Sequence, residues 1–207
     1  MIQRRNAQHS ILHQPEVIRN GVQYMAEPLG GFGVWNGQFE QPGFDRATNA
    51  GGWETYPADA NSVLQRVSGG DAGYWCFRGG NTLANARGGY LLSLCYIPVA
   101  ESRSYGLLGT FRGSAAGATI SFGVYCYSAA KAFIAQNDVL TNTAPGVAWN
   151  NADTTVGPGG TVAWAAGTHY ARIYVYLQFA NNQAAGVYAE VDNVMFMPCP
   201  PCWLGQQ

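Results

Sequence analysis

The sequence is short of charge. Its 207 residues hold 11 lysines and arginines and 12 aspartates and glutamates, 11% of the chain, less than half the usual ~25%. The net charge is −1. No basic stripe is available to displace counterions from phosphate, which excludes nucleic acid as a partner. Long apolar runs are also missing. The longest, Gly89 to Ala100, is broken by Ser93 and Pro98 and is too short to cross a bilayer, so no membrane insertion is expected. Met1 to Asn20 carries Arg4 and Arg5, followed by polar residues, His9 and His13. It has no apolar core of the kind an export signal needs.

Catalytic equipment is equally sparse. Glycoside hydrolysis needs two carboxylates about 5–9.5 Å apart in a cleft. Most acids here sit in turn-like text, and nothing pairs Glu54, Glu101 or Glu190 with a partner. His169 is the one histidine beyond the first 33 residues, and it precedes a strand-like run. There is no G-x-S-x-G elbow. The glycine loops at 30–33 and 157–160 lack the Lys-Ser/Thr of a phosphate cradle. A non-enzymatic chain that requires no cofactor is the expectation. Cys76, Cys95 and Cys126 lie in apolar text and read as buried thiols. Cys199-Pro200-Pro201-Cys202 has the spacing of a redox disulfide or half a zinc site. No βαβ unit or second cysteine pair accompanies it, so it reads as a stiff tail in which Cys199 and Cys202 could form a disulfide.

What is present is hydrophobic residues at 47%, aromatics at 13% and 27 glycines. That mixture fits strands joined by tight turns. Strand-like runs occur at 34–40, 62–67, 74–78, 90–98, 105–112, 119–128, 132–139, 161–164, 170–179 and 187–197, with no long helical pattern. Alternation is clear in two of them. Ile173, Val175, Leu177 and Phe179 share one face, and Arg172, Tyr174, Tyr176 and Gln178 the other. Ile120, Phe122, Val124 and Cys126 oppose Ser121, Tyr125 and Tyr127. A period of two sends the first set of each strand to the core. The fold class is therefore all-β, an antiparallel β-sandwich or jelly roll over 34–198. An extended N-terminal arm (1–33) and a short C-terminal tail (199–207) flank it. Within the arm, a short helix over Glu16–Met25 broken at Asn20-Gly21 is the element read. The alternative is an ordinary first strand with a ragged start.

The order of motifs resembles one superfamily. Asn36-Gly37-Gln38-Phe39-Glu40 is followed by Gly52-Trp53-Glu54, then by Phe111-Arg112-Gly113-Ser114 and Phe122-Gly123-Val124-Tyr125-Cys126-Tyr127. The chain closes with Val191-Asp192-Asn193-Val194. This resembles the jelly-roll carbohydrate-binding-module superfamily, with its N-G-x-F-E and G-W opening and its hydrophobic-D-D-V ending, over residues 34 to 198. The resemblance implies two antiparallel sheets and a structural Ca²⁺ near the first and last strands, with Glu40 and Asp192 as ligands; carboxylates suit such a hard cation. Asn193 replaces the usual second Asp, which removes one anionic ligand. It also implies sugar stacking on aromatics of one sheet face. Tyr125, Tyr127, Tyr174 and Tyr176, with Arg172 and Gln178, would supply that face, and Trp149 and Trp164 are further candidates. The same surface would equally serve as a protein interface.

A binding-module-like domain without export signal or catalytic partner, bearing an arm and a tail, leads to one functional expectation. It is a structural or attachment component of a virus particle: a bacteriophage capsid decoration or a tail, baseplate or fibre protein. Its partners would be copies of itself, other virion proteins and host-surface glycans. The alternative is a bacterial carbohydrate-binding module or lectin, located outside the cell.

Overall fold

A computed structural model describes residues 16–19, 22–25, 34, 39, 50–71, 73–81, 87–114, 118–143, 145–179 and 184–199. The chain divides into two compact units, Met1–Gly31 and Phe32–Gln207. In the first, strands β1 (Glu16–Arg19) and β2 (Val22–Met25) pair antiparallel, with Arg19 opposite Val22. This corrects the expectation of a helix. Val17, Ile18, Val22 and Tyr24 favour strand, and the two residues between the strands are Asn20-Gly21, the dipeptide that favours a tight hairpin over a helix.

The second unit is all-β, with no helix among the described residues. It contains β3 (Trp53–Pro57), β4 (Ser62–Ser68), β5 (Trp75–Asn81), β6 (Gly88–Ser93), β7 (Ile97–Pro98), β8 (Tyr105–Gly113), β9 (Ala118–Tyr127), β10 (Phe133–Thr143), β11 (Asn150–Val156), β12 (Tyr170–Phe179) and β13 (Tyr188–Pro198). One sheet has the order β10-β9-β12-β6-β3, with β7 also paired to β12. The other has the order β11-β8-β13-β5-β4. The named strands pair antiparallel throughout. The two sheets bury one core between them, the β-sandwich of a jelly roll.

Alternation positions that core. Ile173, Val175 and Leu177 of β12 and Ile120, Phe122, Val124 and Cys126 of β9 are fully buried. Facing them from the second sheet are Phe77, Leu107, Phe111, Val191 and Phe196, and the Phe111 and Phe122 rings meet at 6.0 Å. The motif residues Phe39 and Trp53 are core residues too. The Phe39 ring lies 5.5 Å from Trp53 and 5.6 Å from Phe77. Phe39 is not in a strand and has a positive φ of 55°; of the run expected over 34–40, only Val34 and Phe39 are among the described residues.

Two expected strands are different in the structure. The run over 90–98 is two strands, β6 and β7. At their junction the Ser93 hydroxyl accepts the Ile173 N–H at 2.9 Å and the Ser93 carbonyl accepts Arg172 Nε at 2.5 Å, so side chains take over ladder positions and pairing lapses. Residues 161–164 form no strand; Val162 makes an isolated bridge to Val156. Strands β3 and β11 were not among the expected runs.

Candidate functional site

The outward side of the β10-β9-β12-β6-β3 sheet is built in transverse rows fixed by register. In one row Tyr56 of β3 lies opposite Tyr90 of β6, which lies opposite Tyr176 of β12. Strands about 4.8 Å apart bring such rings into stacking distance. The Tyr56 and Tyr90 rings stack at 4.6 Å with planes 12° apart, and Tyr90 and Tyr176 stack at 5.1 Å. The row continues through Ser121 and Thr141, whose hydroxyls hydrogen-bond at 3.0 Å. It steps from aromatic rings to small hydroxyl residues.

The adjacent row is Glu54, Leu92, Tyr174, Gly123 and Asp138. Tyr174 is fully buried although its position faces outward. Its ring lies across Gly123, where a Cβ would run into ring atoms Cζ and Oη. Its hydroxyl donates to Asp138 Oδ1. Gln136 Nε2 donates to the same oxygen at 3.2 Å and to Tyr174 Oη at 3.4 Å. Glycine at 123 thus lets one tyrosine lie flat as a floor. Tyr125, in the third row with Arg172 and Gln136, packs on Tyr174 at 5.0 Å and on Phe133 at 5.6 Å. Tyr127 continues the patch to Tyr96 at 4.8 Å. Tyr56 and Phe133 keep 40% and 58% of their surface exposed. Polar outward faces are the norm on sandwich sheets, and this one instead carries a contiguous run of aromatic rings.

Charge sits at both margins. Arg172 Nη2 pairs with Glu54 Oε2 at 2.8 Å, and the Tyr56 hydroxyl donates to the same oxygen at 2.7 Å. Burial pushes the Glu54 carboxyl up, but hydrogen bonds from Tyr56 and Arg172 and the Arg172 charge outweigh it and hold the group below its ordinary value. The hydrogen bond to Glu54, followed by burial, pushes the Tyr56 phenol up to about 12. Burial raises Tyr125, Tyr127 and Tyr176, with neighbouring tyrosines adding to it. The face therefore offers hydroxyls, ring surface and, at its margins, the carboxylates of Glu54 and Asp138. Those carboxylates belong to edge strands β3 and β10, four strand spacings or roughly 19 Å apart.

Tyr125, Tyr127, Arg172, Tyr174 and Tyr176 all share this face, with Gln178 exposed at the far end of β12. Trp149 and Trp164 do not. Trp149 lies under Arg112 of the other sheet, guanidinium to ring 4.4 Å. Trp164 closes the end of the sandwich, with Nε1 donating to the Arg103 carbonyl at 2.9 Å and its ring edge-on to Tyr105 and Phe196. Sequence reasoning missed Tyr56, Tyr90, Glu54 and Asp138. The signal for the first and third was present: Glu54 and Tyr56 alternate with Trp53 and Thr55 between Gly52 and Pro57.

The metal expectation falls on Glu40, which lies outside the described residues, and on Asp192. Asp192 is fully buried. Its Oδ2 accepts the Asp71 N–H and its Oδ1 the Asn193 N–H, each at 2.8 Å, so both oxygens already serve backbone donors. Among the described residues no three His, Cys, Asp or Glu side chains converge on a metal position. Asn193 occupies the left-handed region at φ 52°, which Asn tolerates better than most residues, beside the register shift between Asp192 and Met195. Cys199 is half-buried, its N–H donating to the Ser104 carbonyl at 2.8 Å; Cys202 lies outside the described residues.

No protein-family model and no curated sequence matches the chain. Solved structures do. A carbohydrate-binding module, TmCBM61 in complex with β-1,4-galactotriose, aligns with TM-score 0.54 and 14% identity over 80% of this chain and 97% of its own. The CBM22-2 xylan-binding domain of Paenibacillus barcinonensis Xyn10C aligns with TM-score 0.51 and 14% identity over 82% and 99%. The enzymatically active domain of bacteriophage CBA120 tailspike protein 4 aligns with TM-score 0.52 and 15% identity; the match covers 80% of this chain and 21% of that one. At these identities the likeness speaks for architecture alone, and on that level the chain is a galactose-binding-like jelly roll, the fold of the carbohydrate-binding modules.

Proposed function

We propose that this chain is a non-catalytic glycan-binding module whose ligand lies across the tyrosine face. The observation that carries the reading is the ladder of Tyr56, Tyr90 and Tyr176, joined by Tyr125 and bordered by Glu54–Arg172 and Asp138. C–H-rich sugar faces pack on aromatic surface, while carboxylate and amide groups take the hydroxyls. Two solved structures of the same fold, a galactotriose complex and a xylan-binding domain, support the ligand class.

The setting we propose is a bacteriophage particle, in which such a module serves as a capsid decoration or a tail, baseplate or fibre component that contacts host glycans. The tailspike likeness favours it. A bacterial carbohydrate-binding module outside the cell is favoured to the same degree by the galactotriose and xylan binders. Both settings use the same face. Binding of the full chain to an array of neutral plant, algal and bacterial-surface oligosaccharides tests the shared claim. Saturable binding that Tyr90→Ala and Tyr176→Ala each weaken is the expected result. Silence across the array, or binding indifferent to both substitutions, overturns it.

A further inference from the structure

The outward side of the second sheet carries a row that the tyrosine face does not use. Register aligns Arg112 of β8, Glu190 of β13, Arg78 of β5 and Gln65 of β4. Glu190 is fully buried. Its Oε1 takes Arg78 Nε at 2.7 Å and Nη2 at 2.5 Å, and its Oε2 takes Arg112 Nε. Each guanidinium also lies on an aromatic ring, Arg78 on Tyr188 at 4.3 Å and Arg112 on Trp149 at 4.4 Å. One carboxylate shared by two guanidinium groups fixes both cations in place.

Beside this row, Val63, Gln65, Arg78, Gly80, Val187 and Tyr188 line a cavity of ≈ 170 Å³. Gly80 opens it: a Cβ there would meet only the Val187 carbonyl, at 3.8 Å. Among the described lining residues, Arg78 is the charged one. With Nε and Nη2 held on Glu190, its Nη1 is the donor an incoming anion would meet. Asp192, the next acid on this face, has its carboxylate engaged by the Asp71 and Asn193 N–H groups.

We infer that this cavity is a second binding site, for a single carboxylate-bearing sugar residue of the uronic acid class. The volume is well under the roughly 300 Å³ of a drug-sized pocket and suits one ring. The Nη1 left over by Glu190 gives a carboxylate oxygen one charge-assisted donor. The valine side chains offer apolar walls to ring C–H groups, and the Gln65 amide offers a donor and an acceptor to hydroxyls. The site is on the opposite sheet from the tyrosine face and stands or falls apart from it.

The experiment is an NMR titration of the full chain with D-galacturonate, D-galactose, acetate and N-acetylglutamate in parallel, followed at the amides of Gly80, Gly186 and Tyr188. Galacturonate should shift these resonances saturably with a Kd of about 1 mM, or about −4 kcal/mol, and galactose should not. Gly80→Ala, which fills the notch without a clash, and Arg78→Lys, which keeps a charge and loses the Nη1 donor, should each weaken binding about tenfold. Tyr176→Ala should leave it unchanged. Equal shifts with galactose, with acetate or with N-acetylglutamate overturn the assignment to a sugar acid. So does unaltered galacturonate binding by a folded Gly80→Ala protein.

Discussion

The two outward faces of the sandwich are built by the same rule and reach opposite states. On each, register lines up one side chain per strand into a transverse row. On the β10-β9-β12-β6-β3 sheet the row is aromatic, and Tyr56 at its end remains 40% exposed. On the β11-β8-β13-β5-β4 sheet the row is ionic, and its central Glu190 is sealed between two arginines. An exposed ladder of neutral rings leaves free energy to be gained by covering it. A buried carboxylate with both oxygens taken has none left to gain, and it makes the arginines rigid. The first face presents partly exposed ring surface, and the second holds its arginine donors in fixed places.

The largest effect should come from stripping the ionic row. Arg78→Met combined with Arg112→Met leaves Glu190 buried without a cation and should cost about 3–5 kcal/mol, measured by urea unfolding. A loss no greater than that of an exposed pair would mean that the row is not sealed. Next is Gly123→Ala. The new Cβ drives against the Tyr174 ring, a floor locked to Asp138, and overpacking of this kind costs about 1–3 kcal/mol. Glycan binding should fall with it, whereas galacturonate binding on the other sheet should hold. Tyr90→Ala and Tyr176→Ala should each lower glycan affinity about tenfold, about 1.4 kcal/mol, read by isothermal titration calorimetry.

The smallest effect separates the faces by pH. Glu54 is held below its ordinary value of 4.5 by Tyr56 and Arg172 against the opposing pull of burial. A lowered carboxyl stabilises the folded state above its unfolded value, and that contribution is lost as pH falls through the lowered one. The pair is exposed enough for the gain to be about 1 kcal/mol or less. Melting temperatures of the native protein and of Glu54→Gln should differ slightly at neutral pH and converge as pH drops below 4.5. A gap that widens on acidification would reverse the sign.

How much of this was legible in the sequence follows from which forces act locally. β12 spans Tyr170–Phe179 as expected, because alternation of Ile173, Val175 and Leu177 with polar and aromatic residues is a local signal. Phe39 and Trp53, which carried the family resemblance, prove to be core residues, so those motifs reported packing. The outward tyrosines of β9 and β12 lie on one face because the two strands are neighbours in the sheet. That Tyr56 and Tyr90 complete the ladder depends on β6 lying between β3 and β12, a long-range pairing that no local pattern encodes. The tryptophans misled for the same reason. Trp149 and Trp164 lie in turn-rich text, and only the tertiary contacts to Arg112 and Arg103 determine that one covers the opposite sheet and the other the end of the core.

The central claim is that sugars lie on the tyrosine rows. An NMR titration of the full chain with the tightest-binding neutral oligosaccharide maps this directly. The account predicts amide shifts confined to Tyr90 to Leu92, Ser121 to Tyr125 and Tyr174 to Tyr176, absent when Tyr90 and Tyr176 are both alanine. Shifts centred on β5, β8 and β13, or none with any neutral sugar, would contradict it.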